Sequence, residues 1–162
     1  MSARSRPLMA PYAVLAGAST GGAGAPPWTT VDLVIDPGFA DATKWTLTGS
    51  GIGTSAVTGG VLQVTSTSNV YFALPATSIA SLEPGVYTVT YTVLTYVSGT
   101  IGTIFSTSSA LSGGTAGPGR TADGTYIETL TLPSGGYIGL AGQGAAIVNS
   151  LQVDNMTITR ES

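Results

Sequence analysis

Between Val86 and Val97 the sequence alternates between large apolar residues and threonines, and this pattern restricts the fold more than any other feature. In an extended chain every second side chain points to the same side. One face of this segment would therefore carry only large apolar groups: Tyr87, Val89, Tyr91 and Val93. The residues between them are Thr88, Thr90 and Thr92. The pattern predicts a long β-strand with one buried face and one face toward solvent.

Shorter segments of the same kind recur along the chain. The other predicted strands are Val61 to Thr65, Val70 to Leu74, Thr100 to Phe105, Thr125 to Leu132, Gly136 to Ala141 and Leu151 to Thr159, with the folded part opening at Trp28 to Ile35. Glycine and proline clusters separate them and supply tight turns. Seven or more short strands in about 130 residues predict an all-β fold, an antiparallel β-sandwich of the jelly-roll type over residues 28–162. The predicted core includes Trp45, Leu62, Val64, Val89, Tyr91 and Ile158.

The first 27 residues, Met1 to Pro27, lack this alternation and are rich in Gly, Ala and Pro. They contain too little apolar surface to offset the entropy lost on ordering. We therefore expect an extended N-terminal arm that becomes ordered against another chain. Its predicted contact residues are Arg4, Arg6, Leu8, Met9, Tyr12, Val14 and Leu15. A cleaved secretory signal and a cloning remnant are the alternatives.

Composition excludes several classes of function. After the arm, the basic residues are Lys44, Arg120 and Arg160, which are too few for a nucleic-acid-binding surface. The chain has no Cys and no His, so it has neither a thiolate nucleophile nor the commonest general base. No apolar run approaches the roughly 20 residues that span a membrane. Only 8% of the residues are charged, and such surfaces tend to associate, so we expect a homo-oligomer.

A series of short motifs resembles the carbohydrate-binding-module-like jelly rolls over about Asp32 to Arg160. The motifs are Asp36-Pro37-Gly38-Phe39, Trp45-Thr46-Leu47, Gly59-Gly60-Val61-Leu62-Gln63-Val64, the segment Leu82 to Val89, and Val153-Asp154-Asn155-Met156-Thr157-Ile158. That family opens with an Asn-x-Gly-Phe turn and a Trp-containing strand. The resemblance implies a domain that binds sugars or other partners without cleaving them, with Phe39 and Trp45 in the core.

The resemblance also implies a structural calcium ion between the first and last strands. Asp154 matches the carboxylate of the closing strand, and Asp36 stands where the family usually has Asn. Ala40 replaces the acidic residue that often follows the Phe, so Asp41 would have to substitute for it. In the simpler interpretation Asp36 forms a turn before Pro37 and Asp154 lies at a β-bulge, with no cofactor bound.

Sugar binding on such a fold requires exposed aromatic rings. Strand parity leaves Tyr71, Tyr96 and Tyr137 as candidates, with Tyr96 on the threonine face of its strand. Aromatic residues are also enriched in protein–protein contacts, so each of the three is a candidate for a glycan or for an interface.

An enzymatic function is not expected. A glycosidase needs two carboxyl groups that face each other, and Glu128 is the only acidic residue central to a predicted strand, where it would be partly buried. The Gly-rich segment from Gly113 to Gly119 lacks the Lys-Ser/Thr ending of a phosphate-binding loop, and we interpret it as a mobile loop or a contact loop.

Because such domains are common in tailed-phage particles, the sequence favours a non-enzymatic virion protein that decorates or cements the particle surface. The arm would anchor it to the major capsid protein or to tail or fibre subunits. The first alternative is a carbohydrate-binding module that recognises a host glycan, and the second is a subunit of a fibre or tail assembly.

Overall fold

The computed structural model of the chain describes residues 32–49, 55–66, 70–73, 81–143 and 149–161, with the backbone alone at 48, 49, 66 and 70–73. The predicted arm, Met1 to Pro27, lies outside the described residues with all of its contact residues. The described part of the segment predicted to open the fold, 32–35, is not a strand, although the Leu33 amide donates to the Ile158 carbonyl at 2.8 Å.

Ten strands and one short 3-10 helix, Ala42–Lys44, make up the described structure. The strands are β1 (Thr46–Gly49), β2 (Ala56–Thr58), β3 (Val61–Ser66), β4 (Val70–Ala73), β5 (Gly85–Ser98), β6 (Ile101–Ser106), β7 (Thr115–Ala116), β8 (Gly124–Leu132), β9 (Tyr137–Gly142) and β10 (Asn149–Arg160). No helix in this part of the chain is long and apolar enough to cross a membrane.

The strands form two five-stranded sheets. The first sheet has the order β1-β4-β9-β6-β7 and the second the order β2-β3-β10-β5-β8, with antiparallel pairing throughout. This confirms the predicted all-β antiparallel sandwich. The seven strands predicted from Val61 onward are present, β1 lies at the Trp45-Thr46-Leu47 motif, and β2 and β7 are additional.

The core lies between the two sheets and contains every one of the six residues predicted to be buried: Trp45, Leu62, Val64, Val89, Tyr91 and Ile158. Phe39 is also fully buried, and its ring centroid lies 4.4 Å from that of Trp45. Phe39 adopts a positive φ of 50°, which turns the chain so that its ring enters the core. The Asp36-Pro37-Gly38-Phe39 motif therefore places an aromatic ring in the core, and the Pro37 carbonyl accepts from the Met156 amide of β10 at 2.9 Å.

A bulge near the end of β5 interrupts the alternation of side chains in the strand. Thr95 has a positive φ of 51°, and the register with β10 shifts between Gln152↔Leu94 and Ser150↔Ser98. The extra residues turn Tyr96 toward the main core, against which its ring packs. The predicted placement of Tyr96 on the threonine face is therefore wrong, because a bulge interrupts the alternation.

Candidate functional site

The outer face of the first sheet carries small residues at the centre of the strands. Paired residues in antiparallel strands share a face, and on this outer side β6 contributes Gly102, Ile104 and Ser106, opposite Ala141, Gly139 and Tyr137 of β9. Tyr137 is half-buried. Small residues therefore surround Ile104 on this face, and the ring of Tyr137 lies at one end.

The loop between β6 and β7 folds onto this face through Leu111. Leu111 is fully buried with a positive φ of 57°, and it forms a second apolar cluster with Ile104 and Ala141, against which Tyr137 packs. Side-chain bonds hold the base of the loop, because the Ser106 hydroxyl donates to the Ser112 carbonyl at 3.0 Å. The loop is thus fixed at both its base and its tip.

A cavity of about 210 Å³ opens beside this loop. Its wall combines the end of β6, the chain leading into β7 and the β8–β9 turn: Phe105, Ser106, Thr107, Ser112, Gly113, Gly114, Thr115, Pro133, Ser134 and Gly135. None of these lining residues is charged, and five of them carry a hydroxyl group. The cavity can therefore offer hydrogen-bond donors and acceptors, along with peptide groups, to an uncharged polar ligand.

The three candidate tyrosines lie in different environments. Tyr137 adjoins the cavity, because it pairs with the lining residue Ser106. Tyr96 packs on the core, and its hydroxyl donates to the Gly99 carbonyl at 3.0 Å. Tyr71 pairs with Ala141 through its backbone, and its side chain lies outside the described residues. The structure thus brings Tyr137 alone of the three next to the cavity, within its described residues.

Glu128 is the centre of a buried polar cluster that joins the two sheets. Its side chain is 3% exposed, and it accepts from the Tyr91 hydroxyl at 2.9 Å and from the Thr103 hydroxyl at 2.5 Å. The Arg120 guanidinium pairs with the same carboxylate at 3.1 Å and lies 4.8 Å above the ring of Tyr126. Burial makes the largest contribution to raising the pKa of Tyr91, and the neighbouring Glu128 carboxylate raises it further. The Tyr91 hydroxyl therefore keeps its proton and remains a donor.

This cluster uses both carboxylate oxygens of Glu128 in structural contacts. Nowhere in the described ranges do three or more acidic, His or Cys side chains come together. Glu128, on β8 of the second sheet, therefore links the two sheets through its hydrogen bond with Thr103 on β6 of the first. The Gly-rich segment before it is also in contact with the first sheet, since the Gly117 amide donates to the Thr103 carbonyl at 2.8 Å.

The two carboxylates predicted to bind calcium take part in turns. Asp36 accepts from the amides of Ala40 and Asp41 and from the Trp45 indole, at 2.9, 3.0 and 3.1 Å. Asp154 accepts from the backbone and side chain of Asn155, at a register shift in β10. N–H groups from Ala40, Asp41 and Trp45 surround Asp36. These contacts agree with the turn and the β-bulge of the simpler interpretation, and calcium binding by Asp36 and Asp154 stays a prediction.

No protein-family model matches this sequence, and no curated protein matches it. Solved structures do match. A CBM4 structure has a TM-score of 0.54 and 20% identity, over 74% of this chain and 96% of that chain. The CBM22-1 xylan-binding domain of Paenibacillus barcinonensis Xyn10C has a TM-score of 0.52 and 11% identity, over 81% of this chain and 95% of that chain. The fold is that of carbohydrate-binding modules.

At these levels of identity the likeness extends to the fold alone. It confirms the jelly-roll resemblance read from the Asp36 and Trp45 motifs. Neither structure is described as part of a phage particle, so the virion location, the capsid or tail partners and the anchoring role of the arm remain predictions.

Proposed function

We propose that this chain is a carbohydrate-binding module without a catalytic role, and that the cavity beside the Leu111 loop holds part of a neutral glycan. The observation that carries the proposal is the uncharged, hydroxyl-lined wall of that cavity. It is supported by the fold, which is shared with carbohydrate-binding modules. Of the functions considered from the sequence, these observations favour the glycan-binding alternative over the virion interpretation.

The chemistry of the lining suits a sugar. A neutral sugar presents hydroxyl groups that both donate and accept hydrogen bonds, and Thr107, Ser112 and Ser134 offer the same kind of group. Sugars also present C–H groups, which would pack on Phe105 and Pro133 at the apolar part of the wall. With no charge in the lining, an acidic sugar would lose hydration without gaining an ion pair.

The size of the cavity limits how much of a glycan it can enclose. Its 210 Å³ lies below the range of about 300 to 1,000 Å³ that is usual for small-molecule pockets. We therefore expect one sugar residue in the cavity. The rest of the glycan would lie outside the cavity, beside the Leu111 loop that covers the outer face of the first sheet.

Filling the cavity should remove glycan binding. Thr115 is exposed and lines the cavity, so Thr115→Phe would place a ring in the space of the sugar with little effect on the core. We expect affinity for the best neutral polysaccharide in a panel that includes xylan to fall tenfold or more, a loss of about 1.4 kcal/mol or greater. Affinity electrophoresis and calorimetry would measure it.

The matched control is Thr58→Phe, which adds the same ring to an exposed threonine on β2 of the other sheet. It should bind as the unsubstituted protein does. Equal affinity of the Thr115 variant, or a preference of the protein for acidic polysaccharides, would refute the proposal.

A further inference from the structure

A second, smaller cavity lies on the outer face of the second sheet. Its volume is about 90 Å³, and it lies over the three neighbouring strands β3, β10 and β5. None of its seven lining residues is charged, and five of them carry an amide or a hydroxyl group: Gln63, Thr65, Thr95, Ser150 and Gln152, together with Val97 and Leu151. Like the first cavity, it therefore suits an uncharged polar ligand.

The bulge in β5 forms one side of this second cavity. Between the pairs Gln152↔Leu94 and Ser150↔Ser98 the chain advances four residues on β5 and two on β10. The additional residues include Thr95, whose φ of 51° is rare for a β-branched residue. Such backbone conformations persist where the surrounding structure holds them, and they concentrate at binding sites. The strained residue and the cavity thus occur at the same place.

Two glutamine amides are available to a ligand there. Gln63 and Gln152 are partners in the β3–β10 ladder, so their side chains lie next to each other on one face. Among the described residues, the Gln63 side chain makes no hydrogen bond, and the Gln152 side chain makes one, in which its Oε1 accepts from the Thr95 hydroxyl at 3.3 Å. The N–H groups of both amides are therefore open to a ligand that accepts hydrogen bonds.

The surroundings of the two glutamines restrict the class of ligand. The backbone of β10 pairs with β3 on one side and with β5 on the other, so a strand of another protein cannot add to the sheet here. The wall has no charged group for an ionic ligand, and its exposed apolar side chain is that of Val97. A neutral molecule with several hydroxyl groups, which can donate to and accept from amides, fits this wall.

We propose that this cavity is a second site for a neutral sugar, and that the protein thereby holds two glycan chains at once. The two cavities lie near opposite ends of β5. Gly85, at its start, pairs with Leu132, which adjoins the Pro133 wall of the first cavity. Thr95 lies ten residues further along β5, a distance of roughly 30 Å in an extended strand. One sugar residue cannot reach both cavities.

The second site should be weaker than the first. Its volume of about 90 Å³ is less than half of the 210 Å³ of the first cavity, so it encloses only part of a sugar. A weak site contributes when a polysaccharide presents many copies of the same unit. The expected function is therefore the bridging of polysaccharide chains. The bridging rests on the proposed function of the first cavity, whereas the second site does not.

A titration of the isotope-labelled full chain with neutral oligosaccharides, followed by NMR, tests the second site. The side-chain amide resonances of Gln63 and Gln152 and the backbone amide of Thr95 should shift, at higher sugar concentrations than those of Ser112–Thr115. Gln152→Met removes the amide and keeps a side chain of similar length, so affinity at this site should fall at least tenfold with no change at Ser112–Thr115. The control Thr88→Val, which removes a hydroxyl elsewhere on the same face, should change neither.

Light scattering of a neutral polysaccharide solution tests the bridging. The unsubstituted chain should raise the scattering by joining polysaccharide chains. Gln152→Met and Thr115→Phe should each abolish the rise, because each removes one of the two sites, and melting temperatures would show that both variants are folded. Thr115→Phe should still show the oligosaccharide shifts at Gln152.

The possible failures are distinguishable. Resonance shifts at the first cavity alone would overturn the second site and leave the proposed function intact. Shifts at the second cavity alone would overturn the proposed function and, with it, the bridging. Shifts at both cavities without a rise in scattering, or a rise that survives Gln152→Met, would overturn the bridging.

Discussion

Replacing Glu128 with alanine should destabilise the protein by about 3 kcal/mol, the lower end of the cost of breaking a buried ion pair. The substitution removes the acceptor of three side chains at once: Tyr91, Thr103 and Arg120. The two hydroxyl donors would be left without their partner inside the sandwich. Arg120 would keep some contact with water because its side chain is 28% exposed, and this is why we expect the lower value.

Unfolding in urea, followed by tryptophan fluorescence, would measure the effect. Glu83→Ala is the matched control, because Glu83 is an exposed acidic residue just before β5, and its removal should change the free energy of unfolding by less than about 0.5 kcal/mol. If the two substitutions cost the same, the Glu128 cluster does not hold the sheets together.

Replacing Trp45 with alanine should cost about 3 to 5 kcal/mol, as expected for an aromatic residue removed from a core. Trp45 is 5% exposed, packs on Phe39 and donates its indole N–H to Asp36 at 3.1 Å. The substitution leaves a void beside Phe39 and removes one donor from the Asp36 turn. Because Phe39 and Trp45 belong to the main core, the loss should lower the global stability.

Trp45→Phe separates the contribution of ring packing from that of the indole hydrogen bond. It retains an aromatic ring in the core and loses the hydrogen bond to Asp36, which contributes about 1 kcal/mol. Thermal and urea unfolding of both variants would give the comparison. A Trp45→Ala variant no less stable than Trp45→Phe would mean that the ring is not part of the core packing.

The alternation of side chains was sufficient to predict most of the sandwich. Val89 and Tyr91 were assigned to the core by parity alone, and both are fully buried. Parity works there because β5 pairs with β8 along their whole contact without a register shift. On its other side, the shift between Asp154 and Thr157 places the extra residue in β10, so the alternation within β5 continues as far as Leu94. Long paired strands impose the period of two.

The same rule failed where the backbone leaves the extended conformation. Thr95 has a positive φ, and nothing about a threonine in a Thr- and Val-rich segment indicates it. The bulge moved Tyr96 from the threonine face toward the core. The strand β7 was missed for another reason, because two residues are too few to show a period.

The cavity could not be located from the sequence, because its wall comes from separate segments. Ser112 and Ser134 lie on different loops, and they become neighbours because β6 pairs with β9 and the β6–β7 loop folds back. Hydroxyl residues are frequent throughout this chain, so no local pattern distinguishes those in the wall. In the same way, Glu128 was predicted to be partly buried, but its pairing with Arg120 depends on the path of the loop before β8.

The cavity beside the Leu111 loop is the proposed binding site for a neutral glycan. Its most direct test is a titration of the isotope-labelled full chain with neutral oligosaccharides, in which the backbone amide resonances are followed by NMR. We predict shifts at Ser112–Thr115 and at Ser134 and Gly135, with none at Thr58 or at Thr88 on the other sheet. Shifts confined to the outer face of the second sheet, or an unchanged spectrum with every neutral glycan, would contradict the account.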